Sequence, residues 1–285
     1  MKNTEKKDED LVKIVQPLVD WYRENKRDLP WRHNPDAYRV WISEIMLQQT
    51  RVEAVKGYYD RFLKALPTVK DLAEAEEDKL LKLWEGLGYY NRVRNMQKAA
   101  QQIMVDHEGI FPDTYEEILQ LKGIGNYTAG AISAFAYGIP KPAVDGNVLR
   151  VISRITGSYE DIMKQSVRKK IENTLEQVIP SDAASDFNQG LIELGAIVCV
   201  PNGEPKCEEC PVKEYCIACK ENLTTEIPVK KKAKTRKIEE RTILIFKDGK
   251  RIAIRKRPAK GLLAGLYEFP NVEGKLSMDE VTEYS

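Results

Sequence analysis

The chain has 285 residues, with 45 Lys and Arg against 44 Asp and Glu for a formal net charge of +1, and it is 42% hydrophobic and 31% charged. That length suits two domains or slightly more, and the composition is that of a folded soluble protein rather than a disordered or membrane-embedded one. The opening MKNTEKKDED has no apolar core for a signal peptide. The longest uncharged run, Gly123 to Pro140, contains four glycines and ends in proline, so no membrane span is expected and the protein is placed in the cytosol. With the net charge near zero, any affinity for nucleic acid must come from local patches.

Residues 11–28 have one amphipathic face, with Leu11, Ile14, Val15, Leu18 and Tyr22, and Leu29-Pro30-Trp31-Arg32 then breaks the helix. Trp31 and Arg32 pair a flat stacking surface with a fork of donors, which suits a base, although a buried Trp beside a surface Arg is the plainer reading. A second helix is expected from Ala37 to Thr50, opened by Asp36 as cap and carrying Trp41, Ile42, Ile45 and Met46 on its apolar stripe. Glu44 lies beside that stripe, between Val40 and Leu47. A carboxyl among apolar side chains resists ionisation and can serve as a general acid; the competing reading is a solvated helix Glu. Gln48, Gln49 and Thr50 present uncharged donors and acceptors at the helix end.

Helices are expected at Val52–Leu66, Leu72–Ala75 and Asp78–Leu83. The turn Gly86-Leu87-Gly88-Tyr89-Tyr90 then leads into a helix bearing Arg92, Arg94 and Lys98 with no acid from Gly88 to Lys98. An apolar or aromatic wedge beside phosphate-neutralising arginines is a means of prying bases apart, and a packed loop is the alternative.

Two amphipathic runs, Tyr115 to Leu121 and Asn126 to Tyr137, flank Gly123 and Gly125. Glycines at such a turn permit positive φ and leave backbone amides open, and the helix that follows aims its first N–H groups outward, so the unit reads as a phosphate clamp or an ordinary αα-turn. Asp145 stands at or just before the next helix, Val148 to Ile155, as a cap or as a functional carboxylate beside the clamp. Further helices are expected at Lys164–Val178 and Ala184–Ile197. All five cysteines fall between Cys199 and Cys219, which in a cytosolic chain argues for a metal site rather than disulfides. Residues 226–240 form a linker, and the run from Lys230 to Arg241 has seven basic side chains against two acidic. Beyond it Thr242 to Lys247 alternates, Asp248-Gly249 turns, and Arg251 to Ile254 returns, which predicts a β-hairpin. Residues 241–285 are fewer than the ~70–80 of an independent core, so this β-containing segment is expected to be cut short.

With these residues on the page, the chain resembles the MutY-type adenine DNA glycosylases of the helix-hairpin-helix superfamily shared with endonuclease III. The likeness rests on LPWR (29–32), SEIMLQQTRV (43–52), GLGYYNRVRNM (86–96), LKGIGNYTAGAISAFAYG (121–138), VDGNVLRV (144–151), FNQGLIELGA (187–196) and GLLAGLYEFP (261–270). It implies a mainly α fold of two helical subdomains with a DNA cleft between them, an iron–sulfur cluster loop and a partial, β-containing Nudix-like C-terminal segment. The implied divisions are an N-terminal helix at 1–28, a six-helix subdomain with the hairpin at 29–137, a cluster subdomain at 138–225, the linker at 226–240 and the truncated Nudix-like start at 241–285. The implied activity is hydrolysis of the N-glycosidic bond of an extruded adenine mispaired with 8-oxoguanine or guanine, by a monomer bound to double-stranded DNA.

The same resemblance assigns roles residue by residue. Glu44 matches the acid, Asp145 the carboxylate that stabilises or briefly bonds the sugar cation, and Asn147 and Tyr127 the groups that orient the pair. Trp31, Arg32 and Gln189 match the adenine pocket; Gln49, Leu87 and Tyr89 match residues inserted at the lesion, and Thr50 a contact near 8-oxoguanine. Gly123 and Gly125 carry the phosphate-binding turn, with Arg92 and Arg94 as phosphate neutralisers. Cys199, Cys207, Cys210 and Cys216 match the ligands of a four-iron–four-sulfur (4Fe-4S) cluster, with one residue more than the family's six between the first two. Cys207, Cys210, Cys216 and Cys219 form a rival set whose five-residue middle is short for a zinc ribbon. An endonuclease III-like lyase would carry lysine where Tyr127 stands, and a noncatalytic binder would not need Glu44 and Asp145 together.

Overall fold

The computed structural model describes residues 11–231, 238–258 and 261–282. Expectations for 1–10, for 232–237 of the basic linker and for 283–285 lie outside the described residues. The chain divides into two compact units, Met1–Lys231 and Lys232–Ser285.

The first unit is helical: α1 (Val15–Asn25), α2 (Ala37–Leu47), α3 (Val52–Ala65), α4 (Val69–Glu74), α5 (Glu77–Trp84), α6 (Asn91–Asp106), α7 (Tyr115–Gln120), α8 (Asn126–Tyr137), α9 (Gly146–Ile155), α10 (Gln165–Glu176), α11 (Ala184–Ile197) and α12 (Ile217–Lys220). Short polar side chains start several of them by accepting otherwise orphaned backbone N–H groups. Asp36 accepts from the Arg39 amide at 2.8 Å, Thr68 and Asp71 form a capping box, and Thr114 accepts from the Glu117 amide at 3.3 Å. Gly138, at φ 69°, ends α8 with the Ile139 amide reaching back to the Ser133 carbonyl at 2.9 Å.

Two apolar cores hold this unit together. One gathers residues from Leu29 to Ile132, with Trp41, Phe62 and Trp84 buried at its centre. The other joins Leu11 to Val19 with the chain from Val144 to Ile227, so α1 packs on α11 through Leu18, Phe187 and Leu191 although about 170 residues separate them in sequence. Helix α8 packs against both α2 and α11, and so runs between the two cores. Gly130 permits its close approach to the loop before α9, since a Cβ there would stand 2.1 Å from the Pro142 carbonyl oxygen.

Most helices fall where the apolar periodicity places them, and one departure bears on the site. The helix expected to Thr50 stops at Leu47, because Gln48 turns out of the helical region at ψ 112° and Gln49 then takes a left-handed φ of 58°. Gln48, Gln49 and Thr50 thus form a loop rather than a last turn. No helix among the described residues is long and apolar enough to cross a membrane.

The second unit contains three two-stranded antiparallel pairs and a short helix, α13 (Met278–Thr282). The expected hairpin survives at its tip, where β2 (Lys247–Asp248) pairs with β3 (Arg251–Ile252) and the Ala253 amide bonds the Phe246 carbonyl. Its outer part does not: β1 (Arg241–Ile243) pairs instead with β6 (Asn271–Glu273), and β4 (Arg255–Lys256) with β5 (Tyr267–Glu268). Pairing at that separation leaves no mark on local periodicity.

Candidate active site

A cavity of about 760 Å³ in the first unit is lined by α2, the start of α8, the loop and first turn of α9, and α11. That size is typical of a site for a small organic group. Glu44 enters it from α2, buried beside Val40 and Leu47. From the first turn of α8 the Tyr127 hydroxyl donates to Glu44 Oε2 at 2.5 Å. Burial raises the Glu44 carboxyl to about 7 against the pull of that hydrogen bond, the Asp145 carboxylate raises it further, and Arg32 opposes. Tyr127 itself is held well above the usual phenol range, first by burial and then by the two carboxylates. It is therefore a neutral donor.

Asp145 faces the same cavity from the N-terminus of α9. One oxygen accepts from the Val148 amide at 2.8 Å and the other from Asn147 Nδ2 at 2.7 Å. Burial raises its pKa too, but the Val148 and Asn147 donors and the Arg150 charge favour the anion. The two carboxyls thus share a cavity and differ in what opposes desolvation: one hydroxyl at Glu44, a helix start with several donors at Asp145. Asp145 is a helix cap and a cavity group at once.

Arg150 holds Asn147 in place, donating to its Oδ1 at 2.9 Å, to the Gly195 carbonyl at 2.7 Å and to the Cys199 carbonyl at 2.8 Å. Gly195 admits Asn147 because any Cβ there would lie 2.5 Å from the Asn147 Cβ. Sequence reasoning missed Arg150, although its spacing from Asn147 on one helix was a usable signal.

The three residues expected to take a base, Trp31, Arg32 and Gln189, line this same cavity, with a further residue behind them. Trp31 is buried and meets Tyr59 edge to face at 5.6 Å. Arg32 Nε donates to Gln189 Oε1 at 3.1 Å, and that oxygen also accepts from the Tyr22 hydroxyl at 2.9 Å. The Gln189 amide nitrogen donates to Ser185 Oγ at 3.0 Å, which fixes which way the amide points. Behind it lies Glu193, 0% exposed and absent from the sequence reading. It accepts from the guanidinium of Arg27 at 2.8 Å through both oxygens, and from Arg32 Nη2 at 2.9 Å. Burial pushes Glu193 up, but Arg27 and Arg32 outweigh it and hold the carboxyl down at about 2. The Arg32 fork is thus largely committed within the protein. Glu193 sits one helical turn after Gln189 on α11, which was the available signal; the arginines are 161 and 166 residues away and left none.

The residues expected at the DNA are placed unevenly. Gln49 and Thr50 line the mouth of the cavity. Tyr89, at φ 49°, is 64% exposed, whereas Leu87 is 6% exposed and belongs to the first core. Arg92 is not a free phosphate neutraliser: its guanidinium is half buried and spent on backbone carbonyls. Arg94 pairs with Glu77 at 2.9 Å. In the hairpin, Gly123 has φ 80° and a Cβ would meet Asn95 at 2.8 Å, while Gly125 precedes α8 with open space around it and no side chain capping the helix.

All five cysteines and Arg154 line one small cavity, with Arg154 Nη1 3.2 Å from Cys199 Sγ. Burial and the neighbouring thiols push Cys207 up to about 11 and Cys210 up to about 12. Among the described residues no three His, Cys, Asp or Glu side chains are gathered as a ready single-metal site. Gathered thiols beside a buried arginine nevertheless suit a thiolate-held cluster, whose positive irons would favour the deprotonated sulfurs that burial alone disfavours.

A fold of two helical cores with an acid-lined cavity and a helix–turn–helix whose second helix reaches that cavity defines a class, and residues 42–179 match the family model for HhH-GPD superfamily base excision DNA repair proteins. Among relatives, an adenine DNA glycosylase of Buchnera aphidicola subsp. Acyrthosiphon pisum is 38% identical over 91% of this chain and 74% of its own. The Arabidopsis thaliana adenine DNA glycosylase is also 38% identical over 91% of this chain, which spans 47% of that longer protein. A thermostable thymine-DNA glycosylase structure superposes with a TM-score of 0.67 at 30% identity, over 76% of this chain and 99% of that one. A trapped endonuclease III–DNA covalent complex superposes with a TM-score of 0.62 at 24% identity, over 73% and 95%, which shows the shared fold. The chain belongs to the adenine DNA glycosylase family of base excision repair.

Proposed function

We propose that this protein hydrolyses the N-glycosidic bond of adenine opposite 8-oxoguanine or guanine in double-stranded DNA, acting as a monofunctional glycosylase and as a monomer. The observation that carries the reading is the pairing of Glu44, bonded by Tyr127 in apolar surroundings, with Asp145, held by the donors of a helix start, on one cavity. Adenine leaves poorly until protonated, and its departure leaves an oxocarbenium-like sugar. Glu44 delivers the proton to the flipped base and then handles the water; Asp145 faces the cationic sugar. Trp31, Arg32 and Gln189 take the base by stacking and edge hydrogen bonds. The open amides around Gly123 and Gly125 take a backbone phosphate, and Gln49, Thr50 and the exposed Tyr89 occupy the lesion, while Leu87 stays in the core. Among the described residues no lysine lines the cavity, and Tyr127 is bonded to Glu44, which speaks against a Schiff-base lyase.

The reading is tested by pH. Because Glu44 must be protonated and its pKa is raised to about 7, single-turnover adenine release should fall as pH rises through about 7. Tyr127→Phe removes a hydrogen bond that favours the ionised form, so this limb should move to higher pH. An unchanged pH profile in the variant would contradict the assignment of Glu44 as the acid.

We further propose that Cys199, Cys207, Cys210 and Cys216 hold a 4Fe-4S cluster, supported by the shared cavity and by Arg154 beside Cys199. When bound, such a group would tie the stretch from Cys199 to Cys216 into one rigid node. The purified protein should be brown and contain iron and sulfide; colourless protein with stoichiometric zinc would refute this.

A further inference from the structure

Outside the cavity, the Arg92 guanidinium donates to backbone carbonyls of two loops, and none of these partners is acidic. Helix α2 ends at Leu47, so the carbonyls of its last turn lack helical partners. Arg92 Nη1 donates to Ile45 O at 2.7 Å and to Gln48 O at 2.6 Å, satisfying that end and the start of the loop beyond it. Nη2 donates to Leu87 O at 2.9 Å and Gly88 O at 3.2 Å, in the second loop. The guanidinium also lies over the rings of Trp84, at 5.3 Å, and Tyr89, at 5.7 Å. A planar fork can bond two loops and stack at once; an ammonium on a flexible stem cannot.

Both loops carry strained residues. Gln49 at φ 58° and Tyr89 at φ 49° occupy left-handed backbone that costs a non-glycine residue free energy and persists only when the surroundings enforce it. Arg92 touches both loops, bonding the Gln48 carbonyl just before Gln49 and lying over the Tyr89 ring. We propose that Arg92 is a positioning residue that staples the 48–50 loop to the 86–90 turn, so that Gln49 and Tyr89 are presented to DNA as one preformed element. The inference rests on the glycosylase reading for what the loops do, but the staple itself is a property of the free protein. Preforming the pair removes the ordering cost that two independent loops would incur on binding.

Arg92→Lys keeps the charge and loses the fork. Hydrogen exchange on the free protein should show amides of 48–50 and 86–90 losing protection together, by tenfold or more, with the two cores unchanged. Loss confined to 86–90, or no loss, would overturn the staple whether or not the protein is a glycosylase. In the duplex assay, affinity for A opposite 8-oxoguanine should fall at least tenfold with an unaltered slope of log affinity against log salt concentration. In Arg92→Gln, which removes the charge as well as the fork, a slope shallower by about one would mean that Arg92 neutralises a phosphate, and would also overturn it. If Arg92→Lys proves unstable, Gln49→Ala and Tyr89→Ala serve in its place. Stapled loops make the double variant bind within about threefold of the worse single, whereas multiplicative losses mean the loops act independently. Absence of adenine release by the wild type, with coupled loops, would remove the glycosylase reading and leave the staple standing.

Discussion

Glu44→Gln and Asp145→Asn should each abolish measurable adenine release while the protein still folds and binds a lesion duplex. Glutamine fills the place of Glu44 in its apolar setting but delivers no proton, and losing positioned acid catalysis costs about 10²–10⁴-fold. Asparagine still caps α9, since its side-chain oxygen can accept from the Val148 amide, and it caps helices about as well as aspartate. What it lacks is the negative charge facing the sugar cation, a loss of about 10²–10³-fold. Because the two groups act on one transition state, the double variant should be scarcely worse than either single. Binding should persist, since it rests on the open amides before α8 rather than on either carboxyl. Near-normal single-turnover rates for Asp145→Asn, with an unchanged melting temperature, would reduce Asp145 to a helix cap.

The largest effect on stability is expected at Glu193. Removing a fully buried carboxylate from two guanidiniums leaves uncompensated charge in the interior, at a cost of about 3–5 kcal/mol. For Glu193→Ala the melting temperature should therefore drop by roughly 10 °C. The folded-state pKa is depressed, from 4.5 to about 2, so the stabilisation is fully present above about 4.5 and is lost as pH falls towards about 2. The depression corresponds to about 3 kcal/mol. The difference in stability between wild type and variant should accordingly be constant near neutral pH and shrink between about 4.5 and 2. A constant difference down to pH 2 would mean that packing, not charge, accounts for the effect. Surviving folded variant should also release adenine slowly, since Arg32 and through it Gln189 lose their anchor.

Much of this was legible in the sequence because it is local. Asp36 marks a helix start, apolar spacing marks helix faces, and glycines 123 and 125 mark the turn between α7 and α8. Glu44 beside an apolar stripe and Asp145 before a helix were visible one at a time; that they line one cavity depends on α8 and α11 packing together, which no local pattern encodes. The failures have one physical origin. Arg92 in a run of bases reads as a surface patch, yet it is consumed by the carbonyl ends of a helix about 45 residues earlier. Leu87 between glycines reads as an exposed wedge, yet it is buried. Glu193 in a helix drew no reading at all, yet two arginines more than 160 residues earlier enclose it. In each case the partner lies far away in sequence, and a charge or an apolar group looks free until its partner is known.

The most direct measurement is a single-turnover assay of the wild-type protein on duplexes carrying adenine opposite 8-oxoguanine, guanine, cytosine or thymine, with borohydride present in a parallel reaction. Adenine should be released opposite 8-oxoguanine and guanine, leaving an intact abasic strand and no efficiently trapped protein–DNA adduct, as a site with Tyr127 on Glu44 and no lysine among the described residues of its lining requires. Retention of adenine opposite both, or strand nicking with efficient trapping, would contradict it.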